Sequence, residues 1–187
     1  MKQLDFASEI GKLKDIERTG WKIYSVKNPE SVSDHCFRTA MLALVYAKES
    51  KLDVNKCVKM ALIHDIHEVY TGDIATRPDE AQQIFSNKAK KKIEDKAMEK
   101  LLQLLPFGNR KEIYSLWNEL EQQKTEESKF VNDLDKIEMV LQALEYKKYK
   151  RTKKNLEEFF LTSQSRIKTK TGNELWNKIR SDYLKLK

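Results

Sequence analysis

The chain has 187 residues, of which 40% are hydrophobic and 35% charged, with a net charge of +7 and only 5 Gly and 3 Pro. That length suits a single domain with a sizeable core, and the scarcity of breakers among abundant Lys, Glu and Leu predicts a mostly helical chain. No apolar run nears the ~20 residues of a membrane span, the amphipathic N-terminus lacks the apolar core of a signal peptide, and Cys36 and Cys57 form no CxxC pair, so neither a disulfide framework nor a zinc knuckle is indicated. A soluble cytoplasmic protein is expected.

Residues 3–18 read as an amphipathic first helix, with Leu4, Ile10, Leu13 and Ile16 at its turns. Ser31 or Ser33 is placed to cap a helix through about 50, because a hydroxyl accepts from orphan backbone donors. A short apolar helix is predicted over 55–69 and ends in His64-Asp65. Pro78 is suited to the first turn of a long helix to about 105, and another helix is expected from about 110 to 124. Residues 127–149 place Phe130, Leu134, Ile137, Leu141 and Leu144 on one stripe, and two last helices lie near 153–167 and 173–186. Strand-like alternation is essentially absent. The expected fold is all-α, a bundle of seven or eight helices in one domain spanning 1–187.

Positive charge concentrates in 88–92 and 147–154, both in helical contexts that also contain Glu. Such runs are read as solvated helix faces or ends. The rival reading is a basic helical nucleic-acid-binding protein that stacks bases on Tyr146 and Tyr149.

The chemistry concentrates in residues 64–73, where His64-Asp65 precedes Glu68 and Gly72-Asp73. Imidazole nitrogens and carboxylate oxygens are the ligands that a hard-to-borderline divalent ion takes. Only three His exist. His35 lies on the preceding helix, and His67 is close enough on the same helix to share a face with His64. Asp133 and Asp135 interrupt the apolar stripe of 127–149. A carboxylate near the buried side of a helix needs a cation or a metal beside it, which links Asp135 to the His cluster. Asp135 and Glu138, three apart, are expected to face the same way.

The ordered set His35, His64-Asp65, Asp135 resembles the H…HD…D signature of the HD-domain superfamily of metal-dependent phosphohydrolases. "PESVSDHCFRTA", "HDIHEVYTGDI", "NDLDKIEM" and "IERTGW" are similar to segments of its 5′-deoxynucleotidase branch, and the likeness covers roughly residues 5–150. The resemblance implies one divalent ion on His35, His64, Asp65 and Asp135. Mn²⁺, Co²⁺ or Fe²⁺ suits that donor set, with Zn²⁺, Ni²⁺ and Mg²⁺ as alternatives. It implies metal-activated attack of water on a nucleoside 5′-monophosphate, with Glu68 and Asp73 as acid–base candidates and Arg18 as the phosphate grip. Trp21, Asp73 and Thr76 are implied substrate contacts. Thr19 and Gly20 separate Arg18 from Trp21, unlike the bacterial pattern, so ribonucleotides stay among the expected substrates. His67 is expected behind the site or in the core. The alternatives within the family are another small phosphoester or a cyclic nucleotide. A homodimer is also implied; nucleic acid and membrane are not expected partners.

Overall fold

The computed structural model describes residues 2–75 and 84–186. Ten α-helices occur among them, and no strand: α1 (Lys2–Gly11), α2 (Thr19–Ile23), α3 (Val32–Glu49), α4 (Val54–Ile63), α5 (Glu68–Thr71), α6 (Asn87–Leu102), α7 (Phe107–Gln122), α8 (Glu126–Lys148), α9 (Glu157–Gln164) and α10 (Lys170–Lys185). The count exceeds the seven or eight expected because α2 and α5 are single short turns. The longest helix, α8, is the axis of the bundle, with α3, α4, α7, α9 and α10 packed around it. Its apolar positions feed two buried clusters: Phe130, Val131 and Leu134 meet Met60 and Ala43, while Ile137, Val140 and Tyr146 meet Trp21, Phe160 and Trp176. A third cluster, around Leu13, Met98, Leu101 and Trp117, covers the other flank.

Local chemistry explains where the helices that bear the site begin. Ser31 accepts from the Asp34 N–H at 3.2 Å while the Asp34 carboxylate accepts from the Ser31 N–H at 3.0 Å. This reciprocal cap places His35 in the first turn of α3. Thr125 and Ser128 cap α8 in the same way.

The first helix is shorter than predicted. It ends at Gly11, a 3-10 turn follows over Lys12–Asp15, and Ile16 to Arg18 run extended. There the chain pairs with the entry to α3: Val32 N–H donates to the Ile16 carbonyl at 2.8 Å and Arg18 N–H to the Glu30 carbonyl at 3.0 Å. Tertiary pairing thus overrides the helical periodicity and pins Arg18 beside the start of α3. The predicted 55–69 helix also breaks, at Ile63. His64 to His67 form a tight turn held by i→i−3 bonds such as Glu68 N–H to the Asp65 carbonyl at 3.0 Å. Gly72, at φ 67°, then ends α5 in the left-handed region that a glycine adopts without strain. The Pro78 start lies outside the described residues; α6 is described from Asn87, capped by Ser86.

Asp133 has a structural task. Its buried carboxylate accepts from the backbone N–H of Lys168 at 3.0 Å and of Thr169 at 2.6 Å, and from the Thr169 hydroxyl at 2.7 Å. This ties the start of α10 to α8. A Cβ on Gly172 would lie 2.6 Å from the Asp133 carboxylate, so this close approach requires glycine. Asp133→Ala strands those donors and is expected to cost about 2–3 kcal/mol in chemical denaturation, with metal content unchanged. Lost metal at unchanged stability would reverse the tasks of Asp133 and Asp135.

Candidate metal centre and substrate pocket

Four side chains from three places in the sequence converge. His35 Nε2, on α3, lies 3.1 Å from His64 Nε2 and 3.8 Å from Asp65 Oδ2, both in the turn after α4. It also lies 3.1 Å from Asp135 Oδ1 on α8, and His64 Nε2 stands 3.1 Å from Asp65 Oδ2. The ligand atoms of His35, His64 and Asp65 all fall within 4.8 Å of one another. Three of the predicted ligands thus form one close group, and Asp135 joins it through His35.

The hydrogen bonds on the far side of each ring determine what this cluster can hold. His64 Nδ1 meets the Ala61 carbonyl at 2.7 Å, an acceptor only, so Nδ1 carries the proton. His35 Nδ1 meets the Glu138 carboxylate and is assigned the proton in the same way. Neutral imidazoles held like this aim both bare Nε2 lone pairs at each other and at two carboxylate oxygens. The facing pairs of these electron-rich atoms, 3.1 to 3.8 Å apart, repel unless a cation sits among them, and about 3 Å is the separation of neighbouring ligands each ~2.1 Å from one ion. Without an ion, protons must supply the charge. Burial and Arg18 both oppose a charged His35, yet Glu138 and Asp135 outweigh them and push its pKa up to about 9. Burial opposes a charged His64 too, and Asp65 outweighs it. Burial works against ionised Asp135, but Lys136, 2.5 Å away, and His35 hold its carboxyl well below the usual range. The donor set fits a divalent ion.

Behind the ligands lies a layer that the sequence did not reveal. The Glu138 carboxylate that orients His35 is itself gripped by Arg38, whose Nε and Nη2 donate to Glu138 Oε1 at 2.8 and 2.6 Å. Arg38 also reaches Glu145 at 2.8 Å. Asp135 and Glu138 thus divide their work, one lining the pocket and the other standing behind His35. The only sequence signal was the shared spacing of Arg38 after His35 and Glu138 after Asp135, which also describes an ordinary charged helix face. Glu138→Gln weakens the orientation of His35 and is expected to lower metal affinity about 10- to 100-fold, measured by competition with a chelating dye. Unaltered affinity would remove Glu138 from the metal support.

The pocket beside the cluster is lined by Asp65, Asp135, Arg18, Glu68 and Asp73, and also by residues of α9. Arg18 Nη1 is 3.6 Å from Asp65 Oδ2. Glu68 is buried, and its Oε2 has no hydrogen-bond partner among the described residues. Burial, with the charges of Asp65 and Asp73, raises its pKa well above the ordinary glutamate value. The Asp73 carboxylate accepts from the Thr19 N–H at 2.5 Å, and its carbonyl from the Thr19 hydroxyl at 2.7 Å. Thr19, inserted between Arg18 and Trp21, thereby ties the arginine turn to the Gly72-Asp73 loop.

Trp21 is 1% exposed, with its indole N–H donating to Glu30 at 2.8 Å, so it braces the pocket from within the core. Thr76 lies outside the described residues. His67 points away from the site, toward Glu94 at 3.7 Å and the Trp117 ring. Several cations of the basic segments are engaged within the chain. Lys147 donates to the Tyr183 carbonyl at 3.2 Å, Lys154 to the Ile23 carbonyl at 2.9 Å, and Lys91 pairs with Asp95 at 2.9 Å. Tyr146 is buried, its hydroxyl accepting from the Glu30 N–H, and is not free to stack on a base.

A family profile for the HD domain matches residues 10–176. The chain belongs to the HD-domain family. The HD-domain match continues through α9 into α10, beyond the short motifs that carry the ligands. Among curated relatives, the chain is 42% identical to the human "5′-deoxynucleotidase HDDC2" over 157 residues, covering 84% of this chain and 74% of that one. It is 41% identical to the Xenopus laevis protein of the same name over 165 residues, or 88% and 79% of the two chains. Among solved structures, a conserved hypothetical protein from Pyrococcus furiosus superposes with a TM-score of 0.76 at 33% identity, covering 95% and 99% of the two chains.

Proposed function

We propose that this HD-domain protein is a metal-dependent phosphohydrolase that removes the phosphate from nucleoside 5′-monophosphates, deoxynucleotides among them. The observation that carries this reading is the pair of imidazoles whose bare Nε2 atoms face each other and two carboxylates, at the edge of a pocket holding Arg18 and Glu68. Relatives named 5′-deoxynucleotidase, similar over most of the chain, support the substrate class.

His35, His64, Asp65 and Asp135 would hold one divalent ion, with Mn²⁺, Co²⁺ or Fe²⁺ favoured by the mixed nitrogen and oxygen donors. That ion would lower the pKa of a bound water and offset charge on the phosphoryl oxygens. Arg18, held close to Asp65, is positioned to grip a phosphate oxygen as the anion enters. Burial raises the pKa of Glu68 above the ordinary glutamate value, which favours its protonated form and suits it to deliver a proton to the departing 5′ oxygen. The Asp73 carboxylate is committed to Thr19 and acts chiefly by holding Arg18 in place. The working form is read as a homodimer, the commonest closed symmetry, in the cytoplasm; no helix among the described residues is long and apolar enough to cross a membrane.

Phosphate release from a panel of deoxy- and ribonucleoside monophosphates, with a cyclic nucleotide included, tests the reading in Mn²⁺, Co²⁺, Mg²⁺ or EDTA. Turnover of monophosphates that EDTA abolishes is expected. Failure of every monophosphate with every metal would overturn it.

A further inference from the structure

We propose that α9 is the nucleoside-recognition wall of this pocket, with the Phe159 ring as the stacking surface for the base and the Arg166 guanidinium, just past the helix end, as its polar contact. This rests on the monophosphate reading above and specifies how the part of the substrate that is not phosphate is held.

Three observations carry it. Positions 158, 159, 162, 163 and 166 line the same pocket as Asp65 and Asp135. The spacing of the first four puts them on one helical face of α9, and Arg166 continues that wall just past the helix end. Next, the neighbouring phenylalanines divide. Phe160 is fully buried, whereas Phe159 is half-buried and opens onto the pocket. The Phe159 ring is backed by Trp21, with centroids 4.2 Å apart and planes tilted by 32°, and by Tyr24 at 5.0 Å. A Cβ on Gly20 would stand 3.3 Å from that ring, so the glycine lets Phe159 settle against Trp21. An aromatic ring held this firmly has little freedom left to lose on binding, and every base offers a face to stack on it.

Finally, the polar groups of this wall are already engaged, except one. The Tyr24 hydroxyl donates to Glu158, the Thr162 hydroxyl to the Glu158 carbonyl, and the Ser163 hydroxyl to the Phe160 carbonyl while accepting from Trp176. The Arg166 side chain has no hydrogen bond or ion pair to any described residue. The other cations of the pocket are committed: Arg18 and Lys136 to the ligand carboxylates, and Lys90 to the Ile74 carbonyl. Arg18 and the metal ligands serve the phosphate end. In the same pocket, a rigid aromatic face with an uncommitted donor fork matches a base and its carbonyl or ring-nitrogen acceptors.

The test compares kcat/KM for deoxynucleoside monophosphates with that for 2-deoxyribose 5-phosphate, which has the phosphate and sugar but no base. It uses the wild-type protein, Phe159→Leu and Arg166→Gln. The wild type should prefer nucleotides, and each variant should reduce that preference about tenfold, chiefly through KM. Arg166 is exposed, so Arg166→Gln decides the matter even if Phe159→Leu loosens the Trp21 contact. A well-folded variant that keeps the wild-type preference removes its residue from the wall. A wild type that treats the sugar phosphate and the nucleotide alike overturns the proposal and leaves the phosphatase reading standing. A wild type that hydrolyses neither overturns the phosphatase reading, and the wall with it.

Discussion

Asp135→Asn should empty the metal centre while leaving the helices intact. Asparagine keeps the size of the side chain but presents a neutral oxygen where the cluster has a charged one. It also releases Lys136, which lies 2.5 Å from the carboxylate. Metal content after dialysis should fall from about one ion per chain toward zero. The rate should fall about a thousandfold or more, since the stabilisation a bound ion gives a phosphoryl transition state is several kcal/mol. An ion that binds only the folded state raises its melting temperature by mass action, so added Mn²⁺ should raise Tm in the wild type and not in the variant. An ion retained at full stoichiometry would remove Asp135 from the ligand set.

Glu68→Gln should separate proton delivery from metal binding. The variant keeps the volume and polarity of the side chain but has no proton to give. A lost general acid typically lowers kcat by about 10² to 10⁴, with metal content unchanged. The pH dependence follows from the sign of the shift. Burial first, then Asp65 and Asp73, raise the pKa of Glu68, so the protonated acid persists to higher pH than in an ordinary glutamate and is lost as pH rises through the raised value. Wild-type kcat should therefore decline on the alkaline side, and the residual activity of Glu68→Gln should lack that limb. Stability in EDTA is linked to the same group. A raised folded-state pKa contributes stability that is full below the ordinary glutamate value and is lost as pH rises through the raised one. Glutamine cannot ionise, so the variant should outlast the wild type against denaturant at high pH. An alkaline limb of the same shape in both proteins would assign the proton to another group.

The candidate ligand set was legible through its resemblance to the HD signature, and the rarity of histidine and a carboxylate on an apolar stripe pointed to the same residues. What lay behind them was not. Arg38, Glu138 and Glu145 have the spacing of an exposed salt-bridged helix face, and only the packing of α3 on α8 turns them inward. Trp21 was legible as a pocket residue by its motif, but its burial against Tyr146 and Phe159 was not. The α9 wall gave no signal at all, since Phe159 and Thr162 read as ordinary core and helix residues until the helix is placed beside Asp135.

By itself the sequence determined the all-α class and a serine cap at the start of α3, because these depend on local periodicity and residue type, while the ordered candidate ligand set was carried by its likeness to the HD signature. Tertiary structure alone decided what each acid does. Asp133 and Asp135 are about 200° apart around one helix, so they must face opposite ways, yet nothing local says which side meets α10 and which meets the histidines. The same holds for the imidazoles. Their protons are set by the Ala61 carbonyl and the Glu138 carboxylate, and one of those partners comes from a helix a hundred residues away.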